Sequence, residues 1–340
     1  MSRALRPSSL GVLLAFAVLG CGPASGSSSQ GTGSEVPPSP PAMSSAASRE
    51  ASPAPSTASH GPALPGRIAF GRFDSALGDF QLFTMLADGS DVRPLLPGPH
   101  EGPAWSPDNS LISVTSFDNG DFLKILRPDG SLVRDLKAPD ATLGLGCDNW
   151  SPDGTHLLCE GWDDAHPDRI GAYSVRASDG GGLKRLTSPA DHQHDIPGGY
   201  SPDARRIAFV HVTSDAREQG QLWIMNSDGS DAHRANDATI GYHVHWSPDG
   251  RWIVGDGGGS LLVFDSGQLP SAPRRITVPS AAAAFGAWWS PDGSHLAFSL
   301  VPANRSTPDI ATIAADGTAL SVLTTDPAKE EFPAWGLPTP

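Results

Sequence analysis

One pentapeptide recurs five times in this chain with small changes. The copies are Trp105-Ser-Pro-Asp-Asn109, Trp150-Ser-Pro-Asp-Gly154, Tyr200-Ser-Pro-Asp-Ala204, Trp246-Ser-Pro-Asp-Gly250 and Trp289-Ser-Pro-Asp-Gly293. A sixth, shortened copy is Ala334-Trp335-Gly336, and successive aromatic residues lie 45, 50, 46, 43 and 46 residues apart. A period of about 40–50 residues is typical of repeat architectures such as β-propellers.

Each repeat contains two turns and two apolar runs. Ser-Pro-Asp-Gly favours a tight turn, because Pro presets φ and Asp bonds nearby backbone groups. In one copy, apolar runs at residues 207–210 and 222–225 are followed by Asp228-Gly229. Asp-Gly between apolar runs is typical of a β-hairpin. Each repeat therefore predicts four short antiparallel strands, which form one propeller blade.

The predicted fold class is all-β, a six-bladed propeller that spans residues 67–340. The first run, residues 67–70, matches the strand that follows a Ser-Pro-Asp turn in the other copies. The innermost strand of that blade is missing there, and a matching segment occurs at residues 332–335. We expect the C-terminal strand to join the N-terminal blade and close the ring, which removes open sheet edges.

This repeat pattern resembles the TolB-type propeller repeats over essentially all of residues 67–340. The superfamily includes the periplasmic TolB proteins, the propeller domains of prolyl oligopeptidases and the oligogalacturonate lyases. Their functions differ, so the resemblance implies the fold and leaves the function open.

The N-terminal segment has the pattern of an export signal. Met1-Ser-Arg3-Ala-Leu-Arg6 is basic, and the apolar stretch from Leu10 to Leu19 is shorter than the roughly 20 residues of a membrane-spanning helix. Val18-Leu19-Gly20-Cys21 looks like a bacterial lipobox, which implies a signal peptide over residues 1–20 and lipidation of Cys21. Gly22 after that cysteine suggests sorting to the outer membrane, facing the periplasm or the cell surface. A plain secretory signal is the alternative.

Residues 21–66 are almost wholly Ser, Pro, Ala, Gly and Thr after the cysteine. Such a segment buries too little apolar surface to offset its ordering entropy, so we expect a disordered tether. The segment before residue 67 holds three basic and two acidic residues, which leaves 20 basic and 35 acidic residues from there onward. This acidic balance argues against a nucleic-acid partner, because phosphate binding needs a basic surface. We expect a monomer.

Cys147 and Cys159 flank the turn Ser151-Pro-Asp-Gly154 at nearly equal distances. They can therefore be cross-strand neighbours and form a disulfide in an oxidising compartment. Two buried free thiols are the alternative.

The two ends of the predicted blades differ. One end, here named the turn face, collects the Ser-Pro-Asp and Asp-Gly turns, whose carboxylates and repeated Trp residues we interpret as structural. The other end, here named the loop face, collects the variable second-to-third strand loops and the blade-to-blade links. Binding residues concentrate on variable loops of a rigid scaffold, so we expect exposed ligand-contacting residues there. The candidates are Glu101, Asp148, Asp163, Asp164, Asp195, Tyr242, Glu330 and Glu331.

Two His-x-His pairs occupy the same part of neighbouring repeats, namely His192 with His194 and His243 with His245. Alternate strand residues point the same way, so such pairs, with Asp195, could offer ligands to one divalent metal ion. However, His245 directly precedes the repeated Trp, a position that holds Trp288, Ala104 and Asn149 in other repeats. This favours a packing role for His245 over metal binding.

The sequence supports a binding module of the bacterial cell envelope, without a cofactor, whose partner is an envelope protein or a glycan. The alternative is a metal-dependent lyase or hydrolase with a site at the propeller channel, similar to oligogalacturonate lyases. The propeller lacks Gly-x-Ser-x-Gly, a P-loop, a zincin helix and a dinucleotide fingerprint. We therefore favour binding over catalysis, and no catalytic residue is assigned.

Overall fold

The computed structural model describes residues 64–116, 121–137, 140, 142–163, 165–190, 193–213 and 220–337. The expected signal peptide, Cys21 and the tether up to residue 63 lie outside the described residues, as do Asp164 and His192. Within the part of the chain that the structure describes, no helix is long and apolar enough to span a membrane.

The described residues form six antiparallel sheets of four strands each. The innermost strands are β4 (His100–Trp105), β8 (Gly144–Trp150), β12 (His194–Tyr200), β16 (Val244–Trp246), β20 (Ala281–Trp289) and β24 (Glu330–Gly336). The second strands are β1 (Arg67–Asp74), β5 (Ile112–Ser116), β9 (His156–Trp162), β13 (Arg206–Val212), β17 (Trp252–Gly257) and β21 (His295–Pro302).

The third strands are β2 (Asp79–Leu86), β6 (Asp121–Leu126), β10 (Gly171–Arg176), β14 (Gly220–Asn226), β18 (Ser260–Asp265) and β22 (Asp309–Ala314). The outermost strands are β3 (Arg93–Leu96), β7 (Leu132–Lys137), β11 (Lys184–Arg185), β15 (His233–Ile240), β19 (Arg274–Ile276) and β23 (Ser321–Val322). One short 3-10 helix, Pro167–Arg169, precedes β10.

We number the blades I to VI in chain order, with blade I built from β24, β1, β2 and β3. Strand β24 pairs with β1, so that Trp335 lies opposite Ile68 and Ala334 opposite Ala69. Each innermost strand contacts the innermost strands of the two adjacent blades, and β24 contacts both β4 and β20. The predicted six-bladed propeller, closed by the C-terminal strand, is thereby confirmed.

The apolar core is divided among the interfaces between blades. Six clusters of buried residues occur in the described chain, and each one joins two neighbouring blades. The smallest cluster joins blades III and IV, where Leu158, Ala172 and Leu186 meet Ile207, Phe209 and Met225. Because every blade buries its faces only against neighbours, closure of the ring is what completes the core.

Candidate functional site at the channel and between blades

In the five Ser-Pro-Asp turns, the Asp carboxylate accepts hydrogen bonds from groups of the same turn. In each turn the Ser hydroxyl donates to the Asp carboxylate at 2.6–2.7 Å, and a backbone N–H two residues later donates to the same oxygen. Hydrogen bonds from Ser151 and Thr155 lower the pKa of Asp153 to about 2. These carboxylates are therefore structural acceptors, as the turn interpretation predicts.

Indole N–H groups of the repeated Trp residues connect successive blades. Nε1 of Trp105 donates to the carbonyl of Ala334 at 3.1 Å, and that of Trp150 donates to the carbonyl of Ala104 at 3.2 Å. Trp289 donates in the same way to the carbonyl of His245 at 3.2 Å. Trp246 follows the Tyr200 copy, and its Nε1 is buried without a hydrogen-bond partner among the described residues.

At the loop-face end, bulges reshape the innermost strands. Gly102 and Gly286 occupy bulge positions with φ of 59° and 62°, and Phe332 occupies the equivalent position with φ of 60°. A bulky residue in this left-handed region is strained, and such strain concentrates at functional sites. The Phe332 ring lies 5.7 Å from the ring of His243, although these residues belong to blades I and V. This contact between non-adjacent blades places both rings at the central channel.

Glu330 and Glu331 precede this bulge and are buried, with 0% and 1% exposure. Arg72 donates to Oε1 of Glu330 at 2.7 Å, and Nζ of Lys329 lies 3.2 Å from Oε1 of Glu331. Oε2 of Glu331 is buried without a hydrogen-bond partner in the described structure. Burial raises the pKa of both carboxyls. The expectation of exposed side chains is wrong here, because β24 pairs with β1 and packs against strands of blades II and VI.

Asp148 occupies the corresponding bulge in blade III, and it neighbours a carboxylate that the sequence analysis missed. Glu160 lies opposite Gly146 on the paired strand, next to this bulge. Burial raises the pKa of Asp148 to about 7, and burial together with the charge of Asp148 raises the pKa of Glu160 to about 7. Only the register of β8 and β9 brings the two carboxyls together, and no sequence motif marks Glu160.

His243 and His245 are packed against aromatic rings. The His245 ring lies 4.2 Å from the ring of Trp288 in the next blade, which supports the packing interpretation. Burial lowers the pKa of His243 to about 4 and that of His245 to about 3, so both rings are neutral at physiological pH. Among the described residues, no group of three or more His, Cys, Asp or Glu side chains is placed to hold a metal ion. His192 lies outside the described residues, and the metal site stays a hypothesis.

Asp163 is also buried, with 2% exposure, and it organises the loop before β10. Its Oδ2 accepts hydrogen bonds from Arg169 at 2.7 Å and from Thr142 at 2.9 Å, and Arg169 also contacts Asp140 at 2.8 Å. The Asp163 carboxylate therefore stabilises the conformation of this loop.

Two further candidates, Glu101 and Tyr242, are half-buried. Glu101 lies on β4, opposite Thr115, and Tyr242 lies in the link before β16.

A disulfide joins Cys147 and Cys159, which lie directly opposite each other on β8 and β9. Both residues are buried in the cluster that joins blades II and III. The disulfide therefore holds the two strands that carry Asp148 and Glu160.

Among the described residues, Asp195 forms no metal-holding group with His243 and His245. It contacts a histidine that the sequence analysis missed. Nδ1 of His211 lies 2.6 Å from Oδ1 of Asp195, across the β12–β13 pair. The His211 ring lies 4.6 Å from the ring of Trp223. These three residues line a cavity of about 410 Å³ in the crevice between blades III and IV.

No family model matches the sequence. The chain is 33% identical over 99 residues to a Tol-Pal system protein TolB of Anaeromyxobacter dehalogenans strain 2CP-C, and 30% identical over 98 residues to that of strain 2CP-1. Each match covers 28% of this chain and only 20% of the relative.

Solved structures with the same architecture include TolB from Acinetobacter baumannii, at 21% identity and a TM-score of 0.63, covering 81% of this chain and 67% of that one. A TolB protein from Agrobacterium tumefaciens matches at 19% identity and a TM-score of 0.56, covering 76% and 89%. An oligogalacturonate lyase in complex with manganese matches at 16% identity and a TM-score of 0.51, covering 76% and 73%. The fold is therefore similar to that of the TolB propellers.

Proposed function

We propose that this chain is an exported, lipid-anchored propeller that binds another protein of the cell envelope through its loop face. Residues 1–20 would be the signal peptide, Cys21 the lipidated residue, residues 21–66 the tether and residues 67–340 the binding domain. The export pattern of the sequence supports this arrangement, and so does the similarity to proteins named for the Tol-Pal system. The protein would be a monomer anchored in the outer membrane. Its partner would bind the loop face, at the end of the ring where the central channel opens; this end is called the channel end below.

One contrast between the two ends of the ring carries the proposal. The turn-face carboxylates accept hydrogen bonds from their own turns, as described above for Asp153. At the loop-face end, the carboxyl groups of Asp148 and Glu160 are half-buried. Burial raises the pKa of both to about 7, and the charge of Asp148 adds to the effect at Glu160. Donor groups of a bound protein would stabilise the ionised carboxylates.

Crosslinking in intact cells, followed by recovery of the propeller, tests the proposal. The variants Asp148→Asn and Glu160→Gln keep side-chain size and remove the charge. Asp237→Asn is the matched control, since Asp237 contacts Arg234 on the outermost strand β15 and is exposed. We expect both channel-end variants to lose most of the crosslinked partner and the control to retain it.

The free energy of unfolding must be measured for each variant, because a destabilised propeller loses every partner. Unchanged recovery with folded Asp148→Asn and Glu160→Gln would rule out the channel end as the binding surface. Fractionation of cells that express Cys21→Ser tests the anchor separately. Retention of that variant in the outer membrane would contradict lipid anchoring.

A further inference from the structure

The crevice between blades III and IV contains the hydrogen-bonded pair Asp195 and His211, which belongs neither to the channel end nor to the Ser-Pro-Asp turns. Asp195 is buried, with 4% exposure, and accepts a hydrogen bond from Nδ1 of His211. This contact fixes the ring, and in the neutral tautomer it leaves Nε2 as a hydrogen-bond acceptor. Among the described residues, the contact with Asp195 is the one hydrogen bond of the His211 ring.

The surrounding cavity has the size and the mixed lining of a small-molecule site. Its volume of about 410 Å³ falls within the roughly 300–1,000 Å³ that is common for ligand pockets. Phe209 and Trp223 supply aromatic surface, whereas Thr187, Ser188 and Gln193 supply hydroxyl and amide groups. The outermost strand of blade III is only two residues long, and the apolar cluster between these blades is the smallest of the six in the described chain.

The charges of the lining restrict the occupant. Among the described residues that line the cavity, none is Lys or Arg, whereas the Asp195 carboxylate lines it. An anion would therefore gain no counter-charge and would meet a negative group. A hydroxyl group can donate to Nε2 of His211, and a ring with C–H-rich faces can pack against the aromatic side chains.

We propose that this crevice binds a neutral sugar ring, with His211 as the acceptor for a sugar hydroxyl, Asp195 as the residue that orients His211, and Trp223 as the packing surface. The site is separate from the channel end, and the proposal stands independently of the protein partner. No chemical step is assigned to it.

Calorimetric titration of the full chain with methyl β-glucopyranoside and with methyl N-acetyl-β-glucosaminide tests the site. Galacturonate is the anionic control, and cyclohexanol is the control for a ring with a single hydroxyl group. We expect saturable binding of at least one neutral sugar, with a Kd in the millimolar range, and no saturation with either control. Absence of saturation by both neutral sugars would overturn the proposal.

Variants locate the binding. Ser188 is exposed on the link after β11, so Ser188→Trp fills the crevice from its rim without disturbing packing. His211→Gln keeps a donor for Asp195 but displaces the acceptor. We expect each change to weaken sugar binding at least tenfold, whereas His156→Gln, on the turn face, leaves it unchanged.

Thermal unfolding of each variant identifies changes that act through the fold, and Ser188→Trp remains informative if His211→Gln is unstable. Sugar binding that persists at parental affinity in folded Ser188→Trp and His211→Gln would place the ligand elsewhere and overturn the assignment.

Discussion

At the scale of single residues, the position after Ser-Pro-Asp is Gly in three of the five copies and Asn or Ala in the other two. Gly154 has φ of 70°, and Ala204 has φ of 60° at the same place in the next blade. A left-handed conformation costs a residue with a Cβ about 1–2 kcal/mol. The turn therefore forms without Gly, at reduced stability.

We expect Ala204→Gly to stabilise the protein and Gly154→Ala to destabilise it, each by about 1 kcal/mol. A Cβ at Gly154 would meet only Cδ of Pro107, at 3.9 Å, so the effect is confined to the backbone. Urea unfolding of both variants measures the two free energies. Shifts of the same sign would show that backbone strain does not control this position.

The repeated Trp residues permit a second comparison at this scale. Trp289→Phe removes a hydrogen bond to the carbonyl of His245, whereas Trp246→Phe removes an N–H group that has no partner in the described structure. Both residues are buried, so the loss of apolar contact is similar. We expect Trp289→Phe to cost about 1–2 kcal/mol more than Trp246→Phe in the free energy of unfolding. Equal costs in chemical denaturation would mean that the interblade hydrogen bond contributes nothing.

At the scale of elements, β24 has the most demanding position, since it completes a blade that begins far away in the sequence. It pairs with β1 and also contacts strands of blades II and VI. Trp335 is 3% exposed and donates a hydrogen bond to the carbonyl of Pro65 at 3.0 Å. Removal of this strand exposes the edge of β1 and two interblade clusters.

We expect deletion of residues 330–340 to lower the free energy of unfolding by several kcal/mol and to cause aggregation. Truncation after Leu337 keeps all of β24 and is the matched control. Thermal unfolding and size-exclusion chromatography measure both effects, and a synthetic peptide of residues 328–340 should restore part of the stability. A deletion variant with the parental melting temperature would contradict the role of β24 in closure.

At the scale of the whole molecule, half-buried ionisable groups at the channel make stability depend on pH. The pKa values of Asp148 and Glu160 rise from ordinary values of 3.8 and 4.5 to about 7 in the folded protein. The folded state therefore holds more protons than the unfolded state between roughly pH 4 and 7, and stability falls as pH rises through this range. His243 and His245 act in the opposite direction, but only below about pH 6.5, where the unfolded chain takes up protons first.

We expect the double variant Asp148→Asn/Glu160→Gln to be more stable than the parent at pH 8, with a difference that shrinks towards pH 5. Amide side chains carry no charge, so they avoid the desolvation cost that the ionised carboxylates meet above pH 7. Urea unfolding at intervals between pH 5 and pH 8 measures the difference. Parallel stability curves for the two proteins would show that these carboxyls are not the responsible groups.

The sequence by itself determined the number of blades, the position of the turns and the closure by residues 332–335, because the repeat period and turn chemistry are local properties of the chain. Only the tertiary structure decided which side chains share a site. Strand register placed Glu160 beside Asp148 and His211 beside Asp195, and ring geometry brought Phe332 of blade I to His243 of blade V. Burial of Asp163, Glu330 and Glu331 likewise depends on neighbouring elements, since a charged residue in a link has the same local sequence pattern whether it faces solvent or the protein. Such contacts join residues of different strands or blades, and no local pattern encodes the distance between them.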